Sequence, residues 1–225
     1  GNEQKYVQEA FDTNWVAPLG PNVNGLEIDL EKYIGNQSHS GALSSGTAAI
    51  HLGLILLGVK AGDEVICQSM TFSASANPIL YLGATPVFID SETDTWNLCP
   101  IELEKAIIDR IEKGKKPKAI IAVHLAGYPC DMDPIMALAV KHNIKVIEDC
   151  AQAHGARYKG RSVGTIGHVG AWSFCQDKIM TTGGEGGMVT TNNEALWRNM
   201  WSYKDHGKSN HPSSRQRKNG KKSWV

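Results

Sequence analysis

The 225-residue sequence lacks several features that would place it in a common functional class. It contains no run of about 18 apolar residues, because its most apolar stretch, Ala48 to Val59, is interrupted by His51 and Gly53; this excludes a membrane-spanning helix. Basic and acidic side chains are equal in number, 23 of each, which argues against nucleic acid as a partner because phosphate contacts need a basic excess. There is no secretory hydrophobic segment either, so we expect a cytoplasmic protein.

Closely spaced metal ligands are missing as well. The nearest two of the five cysteines are 20 residues apart, so the sequence has no CxxC metal or redox pair. His124, His154 and His206 are 30 and 52 residues apart and form no local ligand pair. We therefore expect no metal site, structural histidines with satisfied hydrogen bonds, and reduced cysteines that pack as small apolar side chains: Cys67, Cys99, Cys130, Cys150 and Cys175.

The balanced charge is unevenly distributed along the chain. From Lys204 to Val225 there are seven basic side chains and one acidic side chain, and Ser209 to Ser223 has no apolar side chain apart from Pro212. Such a segment cannot bury enough apolar surface to offset its ordering entropy. The sequence predicts one large domain over residues 1–208 and a basic, disordered or aberrant tail over 209–225. A nucleic-acid contact is the alternative for this tail, but the lack of interleaved aromatic residues argues against it.

Short apolar runs alternate with helical patterns along the chain. Ala48 to Leu57 predicts a buried helix, a second helix begins at Pro100, and a third runs to Lys141 with Asp133 as its cap. The apolar runs are continuous, which predicts strands buried on both faces: Glu64 to Cys67, Pro86 to Asp90, Ala119 to His124, Lys145 to Asp149, Val169 to Phe174, and Gly187 to Thr191. This alternation predicts an α/β domain with a mainly parallel sheet, whose ligands collect at the carboxyl ends of the strands.

The segment Ser44-Ser45-Gly46-Thr47-Ala48-Ala49 leads small residues directly into the first predicted helix. Gly46 allows the backbone to approach a ligand, and the N–H groups of Thr47 and Ala48 lie at the positive end of the helix dipole, which favours a phosphate site. The segment is neither a Walker loop nor a GxGxxG fingerprint, so a P-loop NTPase and a Rossmann dehydrogenase are disfavoured. The alternative is a simple cap, in which Ser45 or Thr47 hydrogen-bonds its own helix.

Two charged residues lie at or just after the ends of predicted strands. Asp149 ends one of them, and a buried carboxylate is costly unless it meets a positive group such as a protonated ring nitrogen; the alternative is a structural Asp that caps the next turn. Its neighbour Glu148 should face the opposite side of the sheet. Lys178 follows another strand and precedes a glycine-rich segment, so desolvation could make its amine nucleophilic for Schiff-base chemistry. The alternative is a surface lysine before a flexible loop.

Four motifs, SSGTAA, TFSAS, EDCAQAHGA and SFxxxKxxTTGGEGG, together resemble the DegT/StrS family of pyridoxal-phosphate-dependent nucleotide-sugar aminotransferases, in the aspartate aminotransferase superfamily of fold type I. The resemblance runs from about Asn14 to Gly207. It implies the family's large cofactor-binding domain, a three-layer α/β/α fold with a mainly parallel mixed sheet. The family's C-terminal domain is absent from this sequence, so we expect an incomplete enzyme.

The resemblance also implies roles for individual residues. Lys178 is similar to the lysine that forms the Schiff base with pyridoxal phosphate and then moves a proton. Asp149 is similar to the partner of the pyridinium nitrogen, and Gln152 to the side chain that faces the 3-oxygen of the ring. Phe72 resembles the aromatic residue that stacks on the ring; without the family it would be assigned to the core. The family's phosphate contacts correspond to Thr47, Ala48 and Ser173.

The function implied by the resemblance is transfer of an amino group from glutamate or glutamine to a nucleotide-linked keto-sugar, by a homodimer, in polysaccharide biosynthesis. Lysine at position 178 favours transamination, because members that dehydrate their substrate have histidine there. Two alternatives stay open. One is a truncated, non-catalytic relative that binds cofactor or a partner, and the other is an α/β nucleotide-binding domain without this cofactor.

Overall fold

The computed structural model describes residues 1–35 and 37–208, so the predicted tail lies outside the described residues. The strands are β1 (His39–Leu43), β2 (Glu64–Gln68), β3 (Thr85–Ile89), β4 (Ala119–Val123), β5 (Lys145–Asp149), β6 (Arg157–Tyr158), β7 (Arg161–Ser162), β8 (Val169–Ser173) and β9 (Gly187–Thr191). Seven of them form one sheet in the order β1-β9-β8-β5-β4-β2-β3, while β6 and β7 form a separate hairpin. In the large sheet β9 runs antiparallel to both of its neighbours, and the pairs between β8 and β3 are parallel.

Helices cover both faces of this sheet. They are α1 (Glu3–Asp12), α2 (Pro21–Ile34), α3 (Gly46–Leu56), α4 (Asn77–Tyr81), α5 (Pro100–Glu112), α6 (Met132–His142) and α7 (Glu194–Lys204). The apolar side chains of α3, α4 and α7 pack on one face of the sheet, and those of α2, α5 and α6 pack on the other. The predicted three-layer α/β/α fold with a mainly parallel mixed sheet is confirmed. Within residues 1–35 and 37–208, no helix is both long enough and apolar enough to cross a membrane.

The six predicted strands agree with the structure to within one residue at each end. This agreement has a simple cause, since β2, β4, β8 and β9 are buried at every position and continuous apolar runs mark them. The predicted helix cap at Asp133 is wrong. The helix α6 begins at Met132 after Asp131, and the Asp131 carboxylate accepts a hydrogen bond from Tyr158 instead of capping.

Candidate functional site

The N-terminus of α3 lies against the end of β8 and the start of β9. A Cβ atom added at Gly46 would lie 2.7 Å from Cβ of Ser173, and one added at Gly187 would lie 2.1 Å from the carbonyl oxygen of Ser45. Only glycine allows backbones to approach this closely. The structure therefore brings the helix tip at Gly46 and the buried Ser173 together at the carboxyl end of β8.

The first turn of α3 is capped by a side chain. The hydroxyl of Ser45 accepts a hydrogen bond of 3.1 Å from the N–H of Ala48. The expectation that Ala48 presents a free N–H donor is therefore wrong, because a serine at the cap position satisfies it. The N–H groups of Gly46 and Thr47 lie in the first turn, where no carbonyl of the helix can accept them, so they keep the dipole-end position that suits an anion. A phosphate role for Ala48 stays a prediction.

Asp149 ends β5 with a buried carboxylate, 5% exposed. Its Oδ2 accepts a hydrogen bond of 2.6 Å from the Ser75 hydroxyl, and its Oδ1 accepts one of 3.1 Å from the N–H of Ala151. Burial raises the pKa of Asp149, although these two hydrogen bonds and the nearby charge of Lys178 act in the opposite direction. A carboxylate in this state gains most from a positive group beside it.

Ser75 is a site residue that the sequence analysis missed. It lies in the 3₁₀ turn Ser73–Ser75, and its hydroxyl oxygen is also 2.7 Å from the hydroxyl oxygen of Thr71. The only available signal was the TFSAS motif, which contains both residues. Their partner Asp149 is far away in the sequence, so local spacing could not reveal the contact.

Lys178 and Phe72 face each other across the carboxyl edge of the sheet. The Nζ atom of Lys178 lies 6.0 Å from the centroid of the Phe72 ring, within cation–π range. Phe72 is 68% exposed, so it is not a core residue. The Lys178 side chain is only 16% exposed, and Nζ forms an ion pair of 3.0 Å with Asp177. The hydrogen bond from Lys178 within this pair lowers the pKa of Asp177. Asp177 is a further neighbour of Lys178 that the sequence motifs did not indicate.

Gln152 is held by the backbone of the neighbouring loop. Its Oε1 accepts a hydrogen bond of 2.6 Å from the N–H of Ala126, which follows β4 and has a left-handed φ of 52°. With the oxygen engaged in this way, the amide nitrogen is the end of the side chain that can donate to a ligand. The orientation of the Gln152 side chain is thus fixed by the turn that follows β4.

Glu148 and Asp149 face opposite sides of β5, as predicted. Glu148 is completely buried and accepts hydrogen bonds from Nε2 of His124 at 3.0 Å and from the N–H groups of Gly164, Ile166 and Gly167 at 2.9, 2.7 and 2.6 Å. Burial alone would raise the pKa of Glu148, but the hydrogen bonds from His124 and the backbone outweigh it, and the pKa is lowered. This network lies directly behind Asp149 and fixes the end of β5.

His124, Glu148 and Cys150 lie within 4.8 Å of one another, which is close enough for metal ligands. However, Nδ1 of His124 already accepts a hydrogen bond of 3.0 Å from the N–H of Cys130, and its Nε2 contacts Glu148. Burial also raises the pKa of Cys150 to about 12, so its thiolate is disfavoured. The ligand atoms of this cluster are therefore engaged in a hydrogen-bonded network.

His154 departs from the expected satisfied histidine. Its ring packs between Trp172 and Phe174, with centroid distances of 5.6 and 5.5 Å. Neither ring nitrogen has a hydrogen-bond partner among the described residues. Burial lowers the pKa of His154, so the neutral ring is favoured and packs as an aromatic side chain.

Comparison with known proteins identifies the family to which the chain is similar. Residues 1–222 match the DegT/DnrJ/EryC1/StrS aminotransferase family, a wider range than the motifs alone indicated. The chain is 53% identical over 195 residues to EpsN of Bacillus subtilis (strain 168), a protein named as a pyridoxal phosphate-dependent aminotransferase. This match covers 87% of the chain and 50% of EpsN. It is 46% identical over 200 residues to the GDP-perosamine synthase of Caulobacter vibrioides, covering 89% of this chain and 52% of that protein.

Solved structures agree with these matches. The aminotransferase from Psychrobacter cryohalolentis is 52% identical, with a TM-score of 0.85 over 92% of this chain and 51% of that one. NtdA from Bacillus subtilis, solved with bound cofactor PMP, is 31% identical, with a TM-score of 0.83 over 94% of this chain and 46% of that one. The chain thus spans about half the length of the curated relatives it matches. On this agreement of sequence and fold, the chain belongs to the DegT/DnrJ/EryC1/StrS aminotransferase family, whose cofactor is pyridoxal phosphate.

Proposed function

We propose that this chain is the cofactor-binding part of an aminotransferase that moves an amino group from glutamate or glutamine to a nucleotide-linked keto-sugar. The observation that carries the proposal is the convergence of Lys178, Asp149 and the Gly46 helix tip at one edge of the sheet, beside the exposed ring of Phe72. The relative named GDP-perosamine synthase supports a substrate of this class.

The residues present fit pyridoxal phosphate. Asp149 is a buried carboxylate whose pKa is raised by burial, and a positively charged ring nitrogen is the group that would relieve this. The tip of α3 packs directly against Ser173 because Gly46 has no Cβ, and helix N-termini of this kind bind phosphate. Phe72 offers an exposed flat face, and the Nζ atom of Lys178 lies 6.0 Å from its centre.

Each residue has a distinct task in the proposed reaction. When bound, the cofactor supplies an aldehyde that reacts with amines and a ring that accepts electrons. Nζ of Lys178 is the amine that holds the cofactor, and once free it is the base that takes up a proton and delivers it to a neighbouring carbon. Asp149 keeps a negative charge beside the ring nitrogen, and the hydrogen bonds from Ser75 and Ala151 fix the direction of its carboxylate.

The remaining residues bind and orient. The N–H groups of Gly46 and Thr47 and the hydroxyl of Ser173 hold the phosphate. The amide nitrogen of Gln152 donates to the ring oxygen, because its own oxygen is occupied by Ala126. Phe72 would stack on the cofactor ring and exclude water from it. The homodimer, the identity of the amino donor and the cytoplasmic location stay predictions.

An absorption spectrum tests the first step. The purified chain with added pyridoxal phosphate should show a visible band, and Lys178→Ala should abolish it. Lys159→Ala is the matched control, because Lys159 pairs with Asp133 on the surface hairpin and should leave the band unchanged. A parent protein without the band would contradict the proposal.

Addition of glutamate or glutamine then separates catalysis from binding. After the donor is added, an active enzyme should lose the visible band and release the matching keto acid, because the amino group passes to the cofactor. A band that persists with both donors supports the alternative, a relative that binds the cofactor without turnover.

A further inference from the structure

A cavity lies on the loops after β2 and β3, and its lining residues take no part in the chemistry above. Its volume is 330 Å³, and it lies at the carboxyl ends of β2 and β3, where its walls include Met70, Asp90, Ser91 and Trp96. Ligands of open α/β sheets collect at this edge. The volume is also within the range of small-molecule sites, about 300–1,000 Å³.

The loop after β3 holds Trp96 in a strained backbone conformation. Trp96 has a φ of 65°, in the left-handed region that residues other than glycine rarely adopt, and it is 58% exposed. Glu92 accepts hydrogen bonds from the backbone N–H and the hydroxyl of Thr95. The buried Asn97 donates a hydrogen bond of 2.9 Å to the carbonyl of Tyr128 and so ties the loop to the neighbouring segment. A strained backbone conformation that the surrounding loop maintains is typical of a functional position.

Two polar side chains line the cavity beside Trp96 and keep unused hydrogen-bonding capacity. The Oγ atom of Ser91 is buried and has no hydrogen-bond partner among residues 1–35 and 37–208. The Asp90 carboxylate uses Oδ1 to accept the N–H of Ser91 at 2.8 Å, which leaves Oδ2 for a ligand. Among the described residues, the cavity lining contains no lysine, arginine or histidine, so the lining does not suit a phosphate. A flat ring that carries N–H donors fits these groups better.

The position of the cavity indicates which part of a substrate reaches it. Nζ of Lys178 lies 6.0 Å from the ring of Phe72, and Met70 precedes Phe72 by two residues. From Met70 the cavity extends outward to Trp96 on the loop after the edge strand β3, in the direction away from β8. The carbon that receives the amino group must lie at Lys178. In a nucleotide-linked sugar bound this way, the nucleoside is the part farthest from Lys178, and the cavity lies on the side of Met70 away from β8.

We propose that this cavity binds the nucleoside end of the substrate, with the base stacked on Trp96 and its N–H donors directed to Asp90 and Ser91. The inference rests on the proposed function for the substrate class. Stacking of a base on an aromatic side chain changes affinity by about 5- to 150-fold, so one tryptophan is enough for a measurable effect.

Equilibrium dialysis of the full chain with pyridoxal phosphate present, against guanosine or uridine 5′-monophosphate, tests the proposal. At least one nucleotide should bind, and Trp96→Ala should weaken its binding about tenfold or more, whereas Trp96→Phe, which keeps a stacking ring, should weaken it less. Tyr203→Ala is the matched control, since Tyr203 is 60% exposed on α7. The visible band of the same samples measures cofactor binding separately, so failure of the proposed function is recognised independently.

Three results would overturn the proposal: no binding of either nucleotide to the parent chain, equal affinity of the parent and Trp96→Ala, or displacement of the nucleotide by glucose. Ser91→Ala keeps the test decisive if urea unfolding shows that the Trp96 variants lose their fold, because it removes one hydroxyl and leaves the loop backbone unchanged. It should weaken nucleotide binding about threefold to tenfold, and unchanged affinity would contradict the proposal.

Discussion

The hydroxyl of Ser75 donates a hydrogen bond of 2.6 Å to the carboxylate of Asp149, although 74 positions separate the two residues in the sequence. The Thr71 hydroxyl lies 2.7 Å from that of Ser75 and extends the chain of polar groups toward the loop after β2. Through this contact the loop that carries Phe72 and the strand that carries Asp149 are aligned with each other. The direction of the carboxylate is thus set by the same segment that presents the aromatic ring.

Replacement of Ser75 should weaken cofactor binding. Ser75→Ala removes one donor to the buried charge, and hydrogen bonds to charged groups contribute about 1.5–3 kcal/mol, so we expect the affinity for pyridoxal phosphate to fall about tenfold or more. Titration of the visible band measures this affinity. Ser73→Ala, in the same turn but exposed, is the control. Equal affinity of the two variants would show that Ser75 does not orient Asp149.

Asp149→Asn should stabilise the cofactor-free protein at neutral pH. The folded-state pKa of Asp149 is raised by burial, so its contribution to stability is complete below the unfolded pKa and is lost as the pH rises through the folded pKa. Asparagine carries no charge and avoids this loss. We expect the free energy of unfolding at pH 7 to increase by about 1 kcal/mol, with no gain at pH 3.

Urea unfolding of the parent and of Asp149→Asn at several pH values measures this difference. The same variant should bind pyridoxal phosphate more weakly, because the ring nitrogen loses its negative partner. A variant that is less stable than the parent at pH 7 would mean that the carboxylate is not strained by burial.

Gly187→Ala should disrupt the tip of α3. The new Cβ would lie 2.1 Å from the carbonyl oxygen of Ser45, and backbone cannot yield as a flexible side chain does. We expect a loss of about 3 kcal/mol or more in the free energy of unfolding, together with the loss of phosphate binding. Gly25→Ala is the control, because an added Cβ at this helical position has no neighbour within 4 Å.

Gly25→Ala should stabilise the chain by about 0.5–1 kcal/mol, as expected for alanine in place of glycine inside a helix. Urea unfolding distinguishes the two substitutions by the sign of their effects. If Gly187→Ala were as stable as the parent, the close contact between β9 and the start of α3 would have to be wrong.

Glu148→Gln should lower the free energy of unfolding at neutral pH and make it depend less on pH in the acid range. The hydrogen bonds from His124 and the backbone lower the folded-state pKa of Glu148, so its contribution is present above the unfolded pKa and is lost as the pH falls through the folded pKa. We expect a loss of about 2–4 kcal/mol at pH 7 that shrinks toward pH 3. Glu112→Gln, at an exposed position ending α5, should change little. An equal loss at both pH values would argue for a packing effect.

The strands and the reactive residues were predictable from sequence for different reasons. The strand β4, whose sequence AIIAV is apolar throughout, is marked by a continuous apolar run, which burial on both faces requires. The strand β1 was missed because its sequence, HSGAL, mixes polar and small residues, and it is held in place by its pairing with β9. The role of Lys178 depended on the family motifs, since a lysine after a strand is not distinctive by itself.

The details of the site depend on contacts between distant segments. The pairing of Ser75 with Asp149, the engagement of Gln152 by Ala126 and the strained position of Trp96 all arise from the packing of separate loops. The spacing of residues along the sequence does not predict these contacts. By contrast, the cap formed by Ser45 was foreseen as an alternative, because it joins residues three positions apart.

The contact between Gly187 and Ser45 also constrains when the site can form during synthesis. The start of α3 is made early, yet the surface that supports it belongs to β9, more than a hundred residues later in the chain. Closing so long a loop is slow and cannot begin until the later segment exists. The ribosome must therefore have released β9 before the helix tip is supported, so ligand capture has to follow the synthesis of β9.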